Sequence, residues 1–342
     1  MVNRKSIFTV FMILSMVIII SMTTFAGDRP KDANDLPRPP KPEKSYTIGV
    51  LMPLLSNPHC LGHAYGYYEE AKALGAEVVL FDAGGYAHLD RQIQQAEDLI
   101  SMPVDAIVIF AASSEGTRAV VDKAVEAGIP VVNTNVMTAS EKVSARIRSD
   151  DFVIGALQAE YMANALNGKG KVLLYPGPAG VSWAMYRSEG YQDYMKNNCP
   201  DIEILEVQFS TTEPATGLSN MEDALLAYPD IDGVSAGCDN IGIGVAEAIF
   251  QAGKSGEIIV TTADSQEACL TGIREGKITA TVVQAPIYMG RWGIRAAIMV
   301  LEGHGEELAE NYWTPITVCT KDNIDNIKFE EIYSPSSGWK LP

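Results

Sequence analysis

Residues 106–133 read AIVIFAASSEGTRAVVDKAVEAGIPVVN. Ala106 to Phe110 is a continuous apolar run of strand length, the pattern of a strand covered on both faces. Residues 115–127 space their apolar side chains as a helix does and stop at Gly128, a residue that readily ends one. Pro130 opens a second β-rich run that reaches Asn133. Strand, helix, strand in so short a span is a βαβ unit with parallel strands.

The rhythm extends in both directions. Upstream, 46–52 and 77–81 read as strands, with helices through 69–72 and from Leu89 to Ile100. Downstream, strands are expected at 144–147, 171–175, 202–209, 233–236, 258–262, 279–283 and 314–319. Helices are expected between them at 152–166, 183–197, 216–227, 241–252, 266–275 and 288–301. This is an α/β chain with too many strands for one comfortable open sheet. Two doubly wound parallel-sheet lobes fit better, with a binding crevice at the C-terminal ends of the strands.

The chain has 342 residues, 47% hydrophobic and 20% charged, the balance of a folded soluble protein. Lys and Arg total 26 against 43 Asp and Glu, a formal charge of −17 that repels phosphate backbones and argues against nucleic-acid binding. Arg4 and Lys5 precede an apolar run from Ile7 to Met22, and Thr24-Phe25-Ala26 supplies small residues for cleavage. Residues 1–26 therefore read as a signal peptide cleaved near Ala26, with an uncleaved membrane anchor as the alternative. Residues 27–45 hold five prolines and read as an extended, solvated, disordered tether. None of the five cysteines (Cys60, Cys199, Cys238, Cys269, Cys319) forms a CxxC pair, so buried free thiols are expected.

No HExxH, GxSxG or GxxxxGK[ST] occurs, and Gly242-Ile-Gly244-Val-Ala-Glu247 lacks the third glycine of a dinucleotide fingerprint. The chain is not expected to be an enzyme or to carry a cofactor. His59 and His63 are four apart and share a helical face, but two ligands do not make a metal site. His59 is better read as a neutral ring touching a ligand just after the first strand.

Several stretches carry a resemblance. Leu55-Ser-Asn57-Pro58-His59, Gly177-Pro-Ala-Gly180-Val-Ser182-Trp183 with Arg187, Thr262-Ala-Asp264-Ser265, and Thr281-Val-Val-Gln284 resemble, in order, the ligand loops of type I periplasmic binding proteins of the ribose-binding group. Ala83-Gly84-Gly85-Tyr86 and Pro176-Gly-Pro178 more closely resemble the periplasmic sensors of trimethylamine-N-oxide respiration, the TorT type. The resemblance implies a first lobe of 46–149 plus 285–317 and a second of 150–284 plus 318–330. It leaves 331–342 as a tail, with a hinge of three segments near 149–150, 284–285 and 317–318. It implies Asn57, His59, Tyr86, Asn135, Trp183, Arg187, Asp239, Asp264 and Gln284 as ligand contacts. Two departures are plain: Asn135 stands where pentose binders hold Asp, and Cys238 where they hold Asn. The function implied is that of an exported periplasmic protein, expected to be monomeric. It would close on a small polar ligand, sugar-like or a small amine, and present it to a membrane partner. That partner is an ABC permease or, in the sensor reading, a histidine kinase. Arg187→Ala is expected to abolish binding with little loss of fold.

Overall fold

From Thr47 onward, apolar strands and amphipathic helices alternate, and the helices cover both faces of two separate sheets. The computed structural model describes residues 32–335 and 339–342. The expected signal peptide lies outside the described residues. In chain order the first elements are β1 (Asp32–Ala33), β2 (Thr47–Met52), α1 (Pro58–Leu74), β3 (Glu77–Asp82), α2 (Leu89–Ser101), β4 (Ala106–Ile109), α3 (Ser114–Glu126), β5 (Val131–Thr134) and β6 (Arg146–Arg148). Next come α4 (Asp151–Ala165), β7 (Gly170–Tyr175), α5 (Ser182–Asn198), β8 (Ile202–Val207), α6 (Pro214–Ala227), β9 (Gly233–Ala236), α7 (Asp239–Gln251), β10 (Ile259–Asp264), α8 (Glu267–Glu275) and β11 (Ala280–Val283). The chain ends with α9 (Pro286–Leu301), β12 (Asn311–Trp313), β13 (Thr317–Thr320) and α10 (Phe329–Ile332).

One sheet has seven strands in the order β1-β12-β6-β5-β4-β2-β3, and the other has six in the order β13-β11-β10-β9-β7-β8. All pairings are parallel except β13 against β11. β4, β5, β9 and β11 are buried along their whole length, as two-sided coverage requires. In each sheet the chain moves to one edge and then returns past its first strand. The loops after β2 and β4 therefore part, as do those after β7 and β9, and a crevice opens there. The chain passes between the sheets three times: from β6 to α4, from β11 to α9, and from β12 to β13. Ser149 Oγ lies 3.2 Å from Thr314 Oγ1 and ties the first passage to the third.

The expected tether is corrected from Asp32 onward. β1 pairs with β12, Leu36 is buried in the first core, and Arg38 bonds the fully buried Glu70. The prolines of this segment set an extended path, and that path follows the surface of the first lobe. The last expected strand, 314–319, begins three residues later than expected and runs antiparallel, because its first residues are spent on the third passage.

Two glycines fix the helix that carries the cleft's arginine. A Cβ on Gly155 of α4 would overlap the Arg187 carbonyl oxygen, and one on Gly190 of α5 would overlap that of Phe152. Backbone-to-backbone packing of α4 on α5 is possible only with these positions bare.

Candidate functional site

Every residue that lines the cleft between the sheets follows the C-terminal end of a strand. Leu54, Asn57, His59 and Cys60 follow β2, Tyr86 follows β3, and Asn135 follows β5. From the other lobe, Trp183 and Arg187 follow β7, Thr212 follows β8, and Cys238 and Asn240 follow β9. Asp264 and Gln266 lie at the end of β10, and Gln284 just past β11. The cavity is about 120 Å³, a space for a small molecule and not for a polymer.

Arg187 is the centre of the polar wall. It is buried, yet its Nε donates to Asp151 Oδ1 at 2.9 Å and its Nη1 to the Gly237 carbonyl at 2.6 Å. Nη2 lies 2.9 Å from the same Asp151 oxygen, and Nη1 lies 3.6 Å from Asp264 Oδ1. Burial opposes its charge, but Asp151 and Asp264 outweigh that and hold it charged. The Trp183 ring lies 5.0 Å from the guanidinium carbon. The same indole packs against the hydrophobic cores of both lobes, so it bridges the cleft.

Asp264 sits in a turn with φ 130° there and 99° at Ser265, a left-handed stretch without glycine. Asp239 holds that turn in place. Its carboxylate accepts from the backbone N–H of Ser265 and of Gln266, each at 2.6 Å, and from the hydroxyls of Thr262 and Thr281. The expectation that Asp239 contacts ligand is therefore corrected. Asp239 is fully buried behind the cleft with its oxygens already committed. The residue of α7 that does line the cleft is Asn240.

Asp264 Oδ1 accepts from Gln284 Nε2 at 2.6 Å, while its second oxygen has no hydrogen-bond partner among the described residues. Burial, with Asp239 and Asp151 adding to it, pushes its carboxyl up to about 7 against the pull of Arg187. A free carboxylate in the unfolded chain titrates near 4. Between those values the folded chain holds a proton that the unfolded chain lacks. The contribution of this side chain to stability therefore falls as pH rises through that window. Asp264→Asn is expected to raise the melting temperature over wild type by a margin that grows from pH 5 to pH 8. Melting curves across that range check it, and a margin independent of pH counts against the assignment.

On the first lobe, Asn57 caps α1, its Oδ1 accepting from the Cys60 N–H at 2.8 Å. Asn135 adopts φ 56° and directs its amide at the histidines, 2.9 Å from His59 Nε2 and 3.4 Å from His63 Nε2. The two Nε2 atoms are 3.2 Å apart. Burial, and then Arg187, drive His59 down to about 3, and burial with His59 drives His63 well below its usual value. Both rings are neutral at physiological pH. Among the described residues no group of three or more metal-ligating side chains comes together, so the pair has no third ligand. Tyr86 lines the cleft with its ring edge against Phe110. All five cysteines are free, and burial pushes the cleft thiol of Cys238 up to about 12.

The structure thus brings Asn57, His59, Tyr86, Asn135, Trp183, Arg187, Asp264 and Gln284 to one cleft. Leu54, Thr212, Asn240 and Gln266 are not singled out by sequence. The signal that finds them is position, since each lies just past the end of a strand.

Two lobes of this topology, with a polar cleft fed by the ends of both sheets, can be compared with known proteins. Residues 48–306 match the family model described as periplasmic binding protein domain. The chain belongs to that family. It is 30% identical over 279 residues to the ribose import binding protein of Bacillus subtilis strain 168, covering 82% of this chain and 88% of that protein. An ABC transporter solute binding protein from Bradyrhizobium sp. BTAi1, solved with bound bis-Tris, matches with a TM-score of 0.80 and 27% identity over 90% of this chain and 91% of its own. One from Agrobacterium vitis, bound with alpha-D-tagatopyranose, matches with a TM-score of 0.78 and 25% identity over 84% of this chain and 99% of its own. The periplasmic binding protein fold is thereby shared with sugar-binding relatives.

Proposed function

We propose that this periplasmic binding protein is the exported solute-binding component of an ABC transporter, and that it closes its two lobes around a monosaccharide or sugar alcohol. The carrying observation is the set Arg187, Asp264 and Gln284 in one polar cleft between the lobes. Hydroxyl groups need acceptors and donors side by side, and Asp264 offers an unused carboxylate oxygen beside two nitrogen donors. Among the described residues that line the cleft, Arg187 is the cation, and Asp151 already matches it, so the lining disfavours an anionic ligand. A neutral polyol fits this charge balance.

Asn57, His59, Tyr86, Asn135 and Trp183 complete the proposed contacts. Contacts from both lobes favour the closed form, so binding shifts an open–closed equilibrium and a permease reads the result. The relatives with ribose and tagatose in their names support this reading over the kinase-coupled sensor, which rests on the local stretches at Ala83 and Pro176. No chemistry is done on the ligand.

A thermal-shift panel tests the proposal. It would hold D-ribose, D-allose, D-tagatose and xylitol, with gluconate, ribose 5-phosphate and trimethylamine N-oxide alongside. At a hundredfold excess over its dissociation constant, a ligand stabilises by about 2.7 kcal/mol. The expected result is a shift with one or more neutral polyols. A shift confined to the anions would overturn the charge argument, and one confined to trimethylamine N-oxide would move the chain to the sensor class.

A further inference from the structure

Two histidines stand one turn apart on α1. His59 lines the cleft, while His63 is fully buried with its ring beside those of Phe110 and Tyr67. Their Nε2 atoms are 3.2 Å apart, and the Asn135 amide nitrogen lies 2.9 Å from that of His59. Both rings are neutral, so each has one N–H and one bare nitrogen. The two Nδ1 atoms are buried, and neither has a hydrogen-bond partner among the described residues. Such a chain can run in two directions. In one, Asn135 and His63 both donate to His59 Nε2, and the proton of His59 sits on Nδ1. In the other, the amide is turned over, His59 Nε2 donates to Asn135 and His63, and the proton of His63 sits on Nδ1. Each direction leaves one N–H unused, and a buried donor without a partner is costly. On His63 that donor would be sealed in the core among aromatic rings. On His59 it belongs to a residue of the cleft wall, where an oxygen of a bound molecule can take it up.

We infer that Asn135, His59 and His63 form a directed hydrogen-bond chain in which His63 is a positioning residue: it donates to His59 Nε2 and so fixes His59 as the Nδ1–H tautomer. The first lobe then supplies a donor to the ligand, and the second lobe supplies the unused acceptor oxygen of Asp264. A hydroxyl or ring oxygen satisfies the Nδ1–H, whereas an ammonium group facing it does not. This use of the donor rests on the polyol reading above; the tautomer itself does not.

The test is long-range proton–nitrogen correlation NMR of the imidazole rings in the ligand-free mature chain. The chain has four histidines, so His59→Gln and His63→Phe assign the two signals. Wild-type His59 is expected to show a protonated Nδ1 and a bare Nε2. His63→Phe keeps a ring beside Phe110 and Tyr67 but has no N–H to place. His59 can then move its proton to Nε2 and donate to Asn135, a change that a purely packing role for His63 would not produce. Asn135→Asp puts an acceptor where the amide donates and should turn His59 the same way. Aspartate tolerates the φ of 56° at this position, so that variant serves if His63→Phe does not fold. A wild-type His59 protonated on Nε2 overturns the inference. So does a His59 that stays Nδ1–H in folded His63→Phe, or in Asn135→Asp where only that variant folds. Calorimetry with D-ribose as the probe reads the consequence. His63→Phe should weaken D-ribose binding about tenfold, the worth of one hydrogen bond, although residue 63 does not line the cleft. Saturation with D-ribose should move the His59 Nδ1 resonance of wild type, and an unmoved resonance overturns donation to the ligand. Failure of D-ribose to bind wild type counts against the polyol reading, while the ligand-free spectra still decide the tautomer.

Discussion

Replacing Arg187 with alanine is expected to cost about 3–5 kcal/mol of folding stability as well as ligand binding. The sequence alone suggests a residue that points into the pocket and can be removed with little loss of fold. The structure shows a buried guanidinium with internal partners on Asp151 and the Gly237 carbonyl. Removing it leaves Asp151 and Asp264 without the guanidinium that both of them face. Burial already pushes Asp151 up against the pull of Arg187, so in the variant both carboxyls should hold their protons to higher pH than in wild type. Urea denaturation at pH 7.5, with calorimetry on the best ligand of the panel, reads both losses. A variant with wild-type stability would mean that these contacts contribute nothing net. Arg187→Lys should recover little, because an ammonium cannot reach Asp151 and the Gly237 carbonyl in the forked geometry of a guanidinium.

Glu70→Gln is the second large effect, at about 3 kcal/mol. Glu70 is completely buried on α1 and takes Arg38 Nε and Nη2 at 2.6 and 2.8 Å and Arg295 Nε at 2.8 Å. Arg295 is itself mostly buried and has few other partners, whereas Arg38 is half exposed and can turn to water. The loss therefore falls chiefly on Arg295. Burial pushes the Glu70 carboxyl up, but the two guanidinium groups outweigh burial and hold it below the usual range. Its stabilisation is complete above the unfolded value near 4.3 and disappears as pH falls through the folded one. The gap between wild type and Glu70→Gln should be full at pH 7 and should shrink steadily below pH 4. Chemical denaturation at several pH values follows it. Equal stability at pH 7 would show that the N-terminal segment docks without help from this pair.

Much of this was open to reading in the sequence, for a local reason. Covered strands such as Ala106–Ile109 and Gly233–Ala236 announce themselves by unbroken apolar runs, and the glycines after the helices mark their ends. The cleft follows from topology, since binding loops gather where strands end. What escaped was decided by partners far along the chain. β1 and β12 are only two and three residues long and exist because they pair with each other and with β6. Leu36 and Arg38 sit among prolines and charges, a composition that reads as solvated, yet their partners are on α1 and α9. Asp239 and Asn240 are neighbours on one helix turn. Only the positions of Thr262 and Thr281 decide which of them turns away from the cleft.

The sheet that starts first is finished only after most of the other has been made. Its strands β2 to β6 are made before β7 to β11 of the second lobe, while α9 and β12 are made after them. Glu70 waits 225 residues for Arg295, and Trp292, Ile294 and Ile298 join the first core only then. Long-range closure of this kind slows folding, because chain entropy is spent before the contacts form. Residues 151–283 make all of the second sheet except its edge strand β13 and can collapse as one stretch while the first lobe is still missing its covering helix. On the ribosome or during export, the half-built first lobe is therefore the exposed species, and α9 is the segment whose arrival ends that exposure.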